Sequence, residues 1–160
     1  MQNSWTEIPP TFTCAGVIVI NKEFDKCIIV ITPNGKNIGF PKGKINKVKG
    51  IKENVFQCAE RELFEETGLK FSQLKFVNNI CLNEMSNKGI VSIVYLVAVY
   101  IDEIEHKFVY DKEELSYSGW KLIDEMNEHM WKDRKDLLNI AHSIVTNEKC
   151  IFVYGDGLEN

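Results

Sequence analysis

The chain has 160 residues, of which 44% are apolar and 26% are charged, and its formal net charge is −4. These values are typical of an ordinary soluble globular protein, and the length predicts one domain over residues 1–160. The acidic balance argues against a generic nucleic-acid coat, and no apolar run approaches the ~20 residues that a membrane span needs.

The cysteines predict a reducing, cytoplasmic location. Their number is odd, none belongs to a C-x-x-C pair, and no signal-peptide pattern opens the chain. Isolated cysteines within apolar runs are usually reduced, buried thiols. The five are Cys14, Cys27, Cys58, Cys81 and Cys150. The histidines lack zinc-site spacing, so we expect surface or packing roles for His106, His129 and His142.

The first part of the chain is predicted to form three strands after a short lead-in, residues 1–10. Apolar and β-branched runs place these strands at 12–20, 27–32 and 37–40. Polar residues 21–26 and the Pro33-Asn34-Gly35 sequence form the turns between them. A turn at 41–43 ends the third strand and leads into a lysine-rich loop.

The second part is predicted to form helices around a long hairpin. The segment 53–69 is predicted to be a helix with Gly68 as its C-terminal stop signal. Two hairpin strands joined by residues 85–89 follow it. The hairpin strands span 74–83 and 90–101, and weaker strands span 106–110 and 119–123. Asp124 caps a short helix to about Trp131, residues 132–146 form the closing helix, and residues 150–154 form an edge strand. This pattern predicts an α/β/α sandwich with a mixed sheet.

The predicted helix at 53–69 places three acids beside its apolar side. Glu62 and Glu66 stack one turn apart and Glu65 flanks them. The adjoining apolar sector is Val55, Phe56, Ala59 and Leu63. Like charges at the margin of a buried face repel each other and are expensive to desolvate. A hard divalent cation offsets both effects, so the pattern indicates a metal site, although Glu-rich helices are often only a solvated surface.

A lysine-rich segment precedes the acids. Residues 36–52 contain six lysines and no acid. Taken alone, such a segment is typical of a solvated loop. Next to carboxylates that hold a metal ion, it indicates a polyphosphate site in which the lysines neutralise the outer phosphates.

The order of residues in the helix is similar to the signature of the Nudix hydrolases. The matching sequence is Arg-Glu-Leu-Phe-Glu-Glu-Thr-Gly-Leu at 61–69, with Glu53 upstream and the sequence Phe-Pro-Lys-Gly-Lys at 40–44 before it. Nine residues separate Gly43 from Glu53, about four more than the family pattern has. The resemblance implies the Nudix α/β/α fold for the whole chain, on motif residues confined to 40–69.

The resemblance also implies a hydrolase of nucleoside diphosphates linked to another moiety, with Mg²⁺ or Mn²⁺ as cofactor. The implied metal ligands are Glu62, Glu66, Glu65 and the carbonyl of Gly43. Lys42, Lys44 and Phe40 are the implied substrate contacts. Arg61 is expected to lie away from the acidic row and to play a structural part with Glu53 and Gly68.

The general base has two candidate sources. In relatives it comes either from the helix, here Glu65 or Glu66, or from a loop before a late strand. Residues 111–115 occupy a comparable place, which makes Glu113 and Glu114 candidates, although acidic loops are common on protein surfaces.

The substrate is predicted from local resemblance to the mRNA-decapping branch of the family. That resemblance rests on residues 40–44 followed by Ile45, and on Cys58-Ala59 shortly before the Arg-Glu pair. An RNA backbone suits the lysine loop. The aromatic residues that could stack a base are Trp5, Phe12, Tyr110 and Tyr117.

Other observations favour a small polyphosphate as substrate. Cellular decapping enzymes carry a helical domain before the Nudix domain, and the lead-in before Cys14 is expected to leave no room for one. The closing helix is not strongly basic. Dinucleoside polyphosphates, diphosphoinositol phosphates and nucleotide sugars therefore remain alternatives. A Nudix-fold binding module without catalysis would lack some of these carboxylates, and a purely structural domain would need no lysine loop.

Overall fold

The computed structural model describes residues 3–4, 12–85 and 91–158. Its first seven strands are β1 (Asn3–Ser4), β2 (Cys14–Ile20), β3 (Lys26–Ile31), β4 (Ile38–Gly39), β5 (Lys42–Lys44), β6 (Lys47–Val48) and β7 (Ile51–Lys52). The elements that follow are α1 (Val55–Thr67), β8 (Leu74–Met85), β9 (Ser92–Tyr100), β10 (Tyr117–Leu122), α2 (Ile123–His129), α3 (Lys132–Thr146) and β11 (Phe152–Tyr154).

These strands form the mixed sheet that the sequence predicts. The order is β1-β8-β9-β2-β3-β10, with β2 and β9 parallel and the other neighbours antiparallel. Short strands pair at its margins: β11 with β8, β4 with β3, and β5 with β2. Strands β2 and β3 share only the Ile20–Cys27 pair and then separate, so β5 lies against the first half of β2. This separation brings the lysine-rich segment into the sheet beside α1.

Alternation along the strands divides the core between two helices. On β2, Ala15, Val17 and Val19 face α1, whereas Ile18 and Ile20 face α3. Each of these five side chains is fully buried, which contributes roughly 1.5–3 kcal/mol for a residue of Val or Ile size. The predicted α/β class with helices on both faces of a mixed sheet is confirmed.

Helix α1 is defined by its ends. Asn54 accepts a hydrogen bond from the Gln57 amide, and the Gln57 side chain accepts one from the Asn54 amide, which forms a capping box. Gly68 ends the helix in the left-handed conformation, with φ 80°, which a residue without Cβ adopts at no steric cost. Glu53 therefore lies outside the helix, although the predicted boundary included it.

Three predictions about local structure are wrong. Residues 106–110 form no strand, because their backbone runs over the end of α1, where the Val109 amide bonds to the Thr67 carbonyl at 3.2 Å. Asp124 lies in the first turn of α2 rather than at its cap, which is Leu122. Residues 42–44 continue as β5 rather than ending in a turn, since they pair with β2.

Other boundaries agree closely with the sequence. The closing helix occupies the predicted range as α3, and the hairpin strands extend to Met85 and begin at Ser92. Residues 86–89 of the predicted hairpin connection lie outside the described residues. The five cysteines, all among the described residues, form no disulfide; three are buried and two are half-buried. No helix in the described ranges is long and apolar enough to cross a membrane.

Candidate functional site

The acids of α1 meet the edge strand β5. The Lys42 amide donates to Glu66 Oε1 at 3.0 Å. The Glu62 carboxylate packs directly over Gly43, so that a Cβ built on Gly43 would overlap it. Only 12% of the Glu62 side chain is exposed. Glycine is therefore required at this point of β5, because its missing side chain is the space that the Glu62 carboxylate occupies.

Arg61 links the acids to one another and to the lysine-rich segment. Its Nε donates to Glu53 Oε2 at 2.8 Å and its Nη1 to Glu62 Oε2 at 2.7 Å. Its Nη2 donates to the Lys44 carbonyl at 2.8 Å. The expected pairing with Glu53 is present, but the expectation that Arg61 lies away from the acidic row is wrong. The guanidinium fork reaches both its neighbour in sequence and the end of β5.

Glu65 stands at the solvent edge of this group. Its side chain is 56% exposed and contacts Arg61 at 3.3 Å across one helical turn. Across residues 3–4, 12–85 and 91–158, no three His, Cys, Asp or Glu side chains gather closely enough to hold an ion. The reason is visible in the contacts: Arg61 holds Glu62 and Glu65, and the Lys42 amide holds Glu66.

Burial raises the proton affinity of the two inner acids. The pKa of Glu66 rises to about 7, because burial outweighs the Lys42 amide and the Lys42 charge. Burial also raises the pKa of Glu62 despite its contact with Arg61. By contrast, the hydrogen bonds from Arg61 lower the pKa of Glu53. Glu62 and Glu66 are thus the acids that would gain most from an added cation.

The chemistry of these donors fits a hard divalent cation. Glu62 and Glu66 offer carboxylate oxygens beside β5. The Lys44 carbonyl of the same strand accepts from Arg61, which also bonds to Glu62. The Gly43 carbonyl accepts a weak hydrogen bond from the Cys58 thiol at 3.5 Å. The pKa of Cys58 is raised to about 12 by burial, so this thiol stays protonated and donates.

The acidic turn at residues 111–115 lies near Glu66. Glu113 and Glu114 are both exposed, and the Glu113 amide donates to Asp111 Oδ1 at 2.8 Å. The charge of Glu114 contributes to the raised pKa of Glu66. Ser118, at the start of β10, donates to the Glu66 carbonyl at 2.6 Å and holds this part of the sheet against α1.

The residues predicted to contact substrate separate into two groups. Lys42 is half-buried and Lys44 is exposed, and both belong to β5 beside the acids. Phe40 is fully buried and packs edge-on against Tyr95, with ring centroids 5.3 Å apart. The prediction that Phe40 contacts substrate is therefore wrong, because its ring belongs to the core.

A cleft of about 660 Å³ lies on the other side of Lys42. Its wall includes Trp131, a residue that is 55% exposed, and the Arg134 guanidinium lies 4.9 Å from the centroid of the Trp131 ring. Met85 and Ile93 add apolar surface, and Lys42 joins this cleft to the acids. No local pattern in the sequence predicts this cleft, because its walls come from strands and a helix far apart in the chain.

Arg134 is buried at the back of the cleft. Its Nε donates to Glu84 at 3.1 Å and its Nη1 to the Ile38 carbonyl at 3.0 Å. Tyr95 also donates to Glu84, at 3.3 Å. A signal for this site was present in the sequence, since Arg134 lies three and four residues before Leu137 and Leu138 on the apolar side of α3.

The other singled-out side chains take packing roles or lie elsewhere. Phe12 packs partly against the core beneath α1, Tyr110 is half-buried, and Tyr117 donates to the Trp120 carbonyl at 2.9 Å. His106 and His142 each contact a backbone carbonyl, and His129 is exposed. Trp5 lies outside the described residues.

Comparison with known proteins identifies a family and a fold. The sequence model of the NUDIX domain matches residues 10–139. A stretch of 67 residues, 41% of this chain, is 40% identical to the m7GpppN-mRNA hydrolase dcap-2 of Caenorhabditis elegans and covers 8% of that protein's length. This chain thus matches only a small part of that relative.

Two solved structures share the fold. A C. elegans Ap4A hydrolase in a binary complex superposes with a TM-score of 0.68 at 17% identity, over 82% of this chain and 97% of that one. A MutT NUDIX hydrolase from Burkholderia pseudomallei superposes with a TM-score of 0.55 at 18% identity, over 83% of this chain and 96% of that one. At such identities the likeness concerns architecture alone.

Proposed function

Because this chain belongs to the NUDIX family of phosphoanhydride hydrolases, we propose that it cleaves a pyrophosphate bond in the 5′ cap of RNA with the aid of a divalent cation. The observation that carries this proposal is the meeting of α1 with β5. There Glu62 and Glu66 face a strand whose one glycine makes room for a carboxylate. Lysines flank the same strand position.

Glu62 and Glu66 are the proposed ligands of the ion, with Glu65 and the Gly43 carbonyl as further ligands. Mg²⁺ or Mn²⁺ suits a set made only of oxygen atoms. When bound, such an ion polarises phosphoryl oxygens and acidifies water. Arg61 would then give up part of its contact with Glu62 and keep its bonds to Glu53 and the Lys44 carbonyl.

The remaining residues position the substrate and manage protons. Lys42 lines the cleft and bonds to Glu66 through its amide, and its side-chain charge neutralises a phosphate that is not cleaved. Glu66, or Glu65 beside it, is the candidate on α1 that accepts a proton from water. A cation held by Glu66 would lower the pKa of about 7 that burial gives this carboxyl in the metal-free chain. Glu113 and Glu114 remain alternative bases, and of these Glu114 is favoured because its charge reaches Glu66.

The cleft is the proposed place for the nucleoside part of the substrate. Trp131 offers an exposed aromatic surface, and the cleft volume of about 660 Å³ suits one nucleoside. An RNA cap is favoured as the source of this nucleoside by the 67-residue stretch that is 40% identical to the m7GpppN-mRNA hydrolase.

A small polyphosphate is the second candidate, and the pairing of cations on α3 favours it. Lys132 is held by Asp136 at 2.7 Å and Arg134 by Glu84 at 3.1 Å. These cations are not free to receive an RNA backbone along α3. A dinucleoside polyphosphate or a diphosphoinositol phosphate needs no such path.

A substrate panel tests the proposal. Cap-labelled RNA, a dinucleoside tetraphosphate and a diphosphoinositol phosphate are offered to the wild type and to Glu66→Gln with Mg²⁺ or Mn²⁺. We expect methylated GDP from the RNA at the highest kcat/KM, and a large loss in the variant with unchanged folding. Faster cleavage of either small molecule would show that this molecule, and not RNA, is the preferred substrate. Full activity of Glu66→Gln would show that the Glu66 carboxylate is not needed for catalysis.

A further inference from the structure

The segment between β5 and α1 contains a small hairpin rather than an irregular loop. Strands β6 and β7 pair through Lys47–Lys52 and Val48–Ile51. The two residues between them, Lys49 and Gly50, have φ values of 52° and 79°. Two left-handed residues in a two-residue loop define the tight turn that favours a twisted antiparallel hairpin. The hairpin is therefore a defined element.

The hairpin has two chemically different faces. Directly opposed residues of an antiparallel pair lie on the same side of the ribbon, and adjacent pairs lie on opposite sides. Lys47 and Lys52 therefore share one face, and Val48 and Ile51 share the other. All four are exposed, with Val48 at 64% and Ile51 at 74%. Lys49 adds a third positive charge at the tip.

The positive face has no acidic partner among the described residues. No Asp or Glu in that part of the chain lies within 4.0 Å of Lys44, Lys47, Lys49 or Lys52 in an ion pair. Two lysines directly opposite each other repel and destabilise the pair. Because the chain as a whole carries −4, this concentration of positive charge indicates an anionic ligand.

The base of the hairpin is fixed to the catalytic helix. Glu53 follows β7, its amide bonds to the Asn46 carbonyl at 2.9 Å, and its carboxylate accepts from the Asn46 amide at 2.8 Å. Arg61 then joins Glu53 to Glu62. The lysine face is thus held in a fixed relation to the acids, separated from them by one arginine.

We propose that the β6–β7 hairpin is a docking arm for the phosphate backbone of a single RNA strand that leaves the acidic site. This inference rests on the proposed function, since it names the substrate as a polynucleotide rather than a small polyphosphate. The RNA strand passes from Lys44 on β5 to Lys47, Lys49 and Lys52. Under the proposed function the phosphates of a small polyphosphate are engaged by Lys42 and the acids, whereas an RNA strand carries further phosphates for these lysines.

RNA binding tests the arm separately from catalysis. In a Glu66→Gln background, the affinity for a 30-nucleotide 5′-labelled RNA is measured by fluorescence anisotropy over a range of salt concentrations. The variant K47Q/K49Q/K52Q is expected to bind at least tenfold more weakly. Its slope of log affinity against log salt should fall by about 2, since each phosphate contact on a single strand contributes about 0.7. Exposed lysines elsewhere give the matched control, K26Q/K107Q/K149Q, which should bind as its parent does.

Cleavage by the otherwise wild-type chain gives the second readout. The triple variant should lose at least tenfold in kcat/KM on the capped RNA and less than twofold on a cap dinucleotide. Unchanged RNA binding, or equal losses on both substrates, would overturn the arm. If the wild type cleaves neither substrate, the proposed function fails, and the binding assay still decides the arm.

The apolar face supplies the competing outcome. V48S/I51S leaves all lysines in place and should not change RNA affinity. If this variant weakens RNA binding and K47Q/K49Q/K52Q does not, the hairpin binds an apolar surface and the proposal is wrong. Thermal unfolding of each hairpin variant should match that of its own parent, because the hairpin lies outside the main sheet.

Discussion

Glu66 combines burial with a position where charge is needed. The fold raises its pKa from 4.5 to about 7 by burial, and the Lys42 amide only partly offsets this effect. Between these two pH values the folded chain binds a proton that the unfolded chain releases. The contribution of Glu66 to stability therefore falls as pH rises from 4.5 to 7 and stays low above 7. A bound cation would restore the stability that ionisation of Glu66 removes.

Replacing Glu66 with Gln should reveal this effect without metal. Gln can still accept from the Lys42 amide but carries no charge, so Glu66→Gln should be more stable than the wild type at pH 8. We expect a gain of about 1–2 kcal/mol after allowing for solvent screening, or ~3–6 °C in Tm. Below pH 4.5 the two melting temperatures should converge, because Glu66 is then protonated in both the folded and the unfolded chain. A variant that is less stable than the wild type at pH 8 would contradict the raised pKa.

Gly43 can be tested by adding one methyl group. In Gly43→Ala the new Cβ overlaps the Glu62 carboxylate, which must move. A displacement of about 1 Å can reduce a rate 10²-fold, so we expect kcat/KM to fall 10- to 100-fold. Gly157→Ala is the control, since its Cβ would meet only Val153 at 3.7 Å. Full activity in Gly43→Ala would show that the observed position of Glu62 does not matter.

At the scale of elements, Arg61 is the link between α1 and β5. It bonds to Glu53, Glu62 and the Lys44 carbonyl at 2.7–2.9 Å, with 25% of its side chain exposed. Removing one partner of a poorly solvated ion pair leaves the other charges uncompensated. The motif thus stabilises the junction of helix and strand as well as supplying acids.

Arg61→Met should therefore be strongly destabilising. We expect a loss of about 3 kcal/mol in urea unfolding at pH 7, with Arg61→Lys in between because it lacks the fork. Arg61 lowers the pKa of Glu53, so the stability from this pair is present above the ordinary carboxyl pKa and is lost as pH falls below it. The gap between variant and wild type should narrow toward pH 3, and a gap independent of pH would rule out this pair as its cause.

Helix α1 could be predicted well because its determinants are local. The stop at Gly68, the apolar sector and the spacing of the three acids all lie within 53–69. The pairing of Arg61 with Glu62 could not be predicted from a helical projection, because it depends on a side-chain rotamer. The hairpin was missed for another reason: its strands are two residues long, below the length at which alternation is visible.

At the scale of the whole molecule, Glu84 and Arg134 connect the sheet with α3. Their side chains are 14% and 8% exposed, and they are separated by 50 residues in sequence. Contacts of this kind depend on the tertiary fold, which is why the sequence alone indicates only that the closing helix is not strongly basic. The same pair forms the back of the cleft behind Trp131.

Replacing one residue of this pair should destabilise the chain more than replacing both. Glu84→Met leaves Arg134 buried without its carboxylate, and we expect a loss of about 3–5 kcal/mol in urea unfolding. The double variant Glu84→Met/Arg134→Met should be less destabilised than the sum of the single changes. Lys132→Met, which breaks the exposed pair with Asp136, should cause no measurable change. Additive losses would mean that the two residues do not act as a pair.

Glu62 and Glu66 are proposed to hold a divalent cation against β5, and direct binding of Mn²⁺ tests this proposal. Free Mn²⁺ is followed by electron paramagnetic resonance during titration of the wild type, Glu62→Gln/Glu66→Gln, and Glu113→Gln/Glu114→Gln. We predict saturable binding by the wild type and by the Glu113/Glu114 variant. The Glu62/Glu66 variant should bind at least tenfold more weakly while its circular dichroism stays unchanged. Equal Mn²⁺ affinity in all three proteins would contradict the claim.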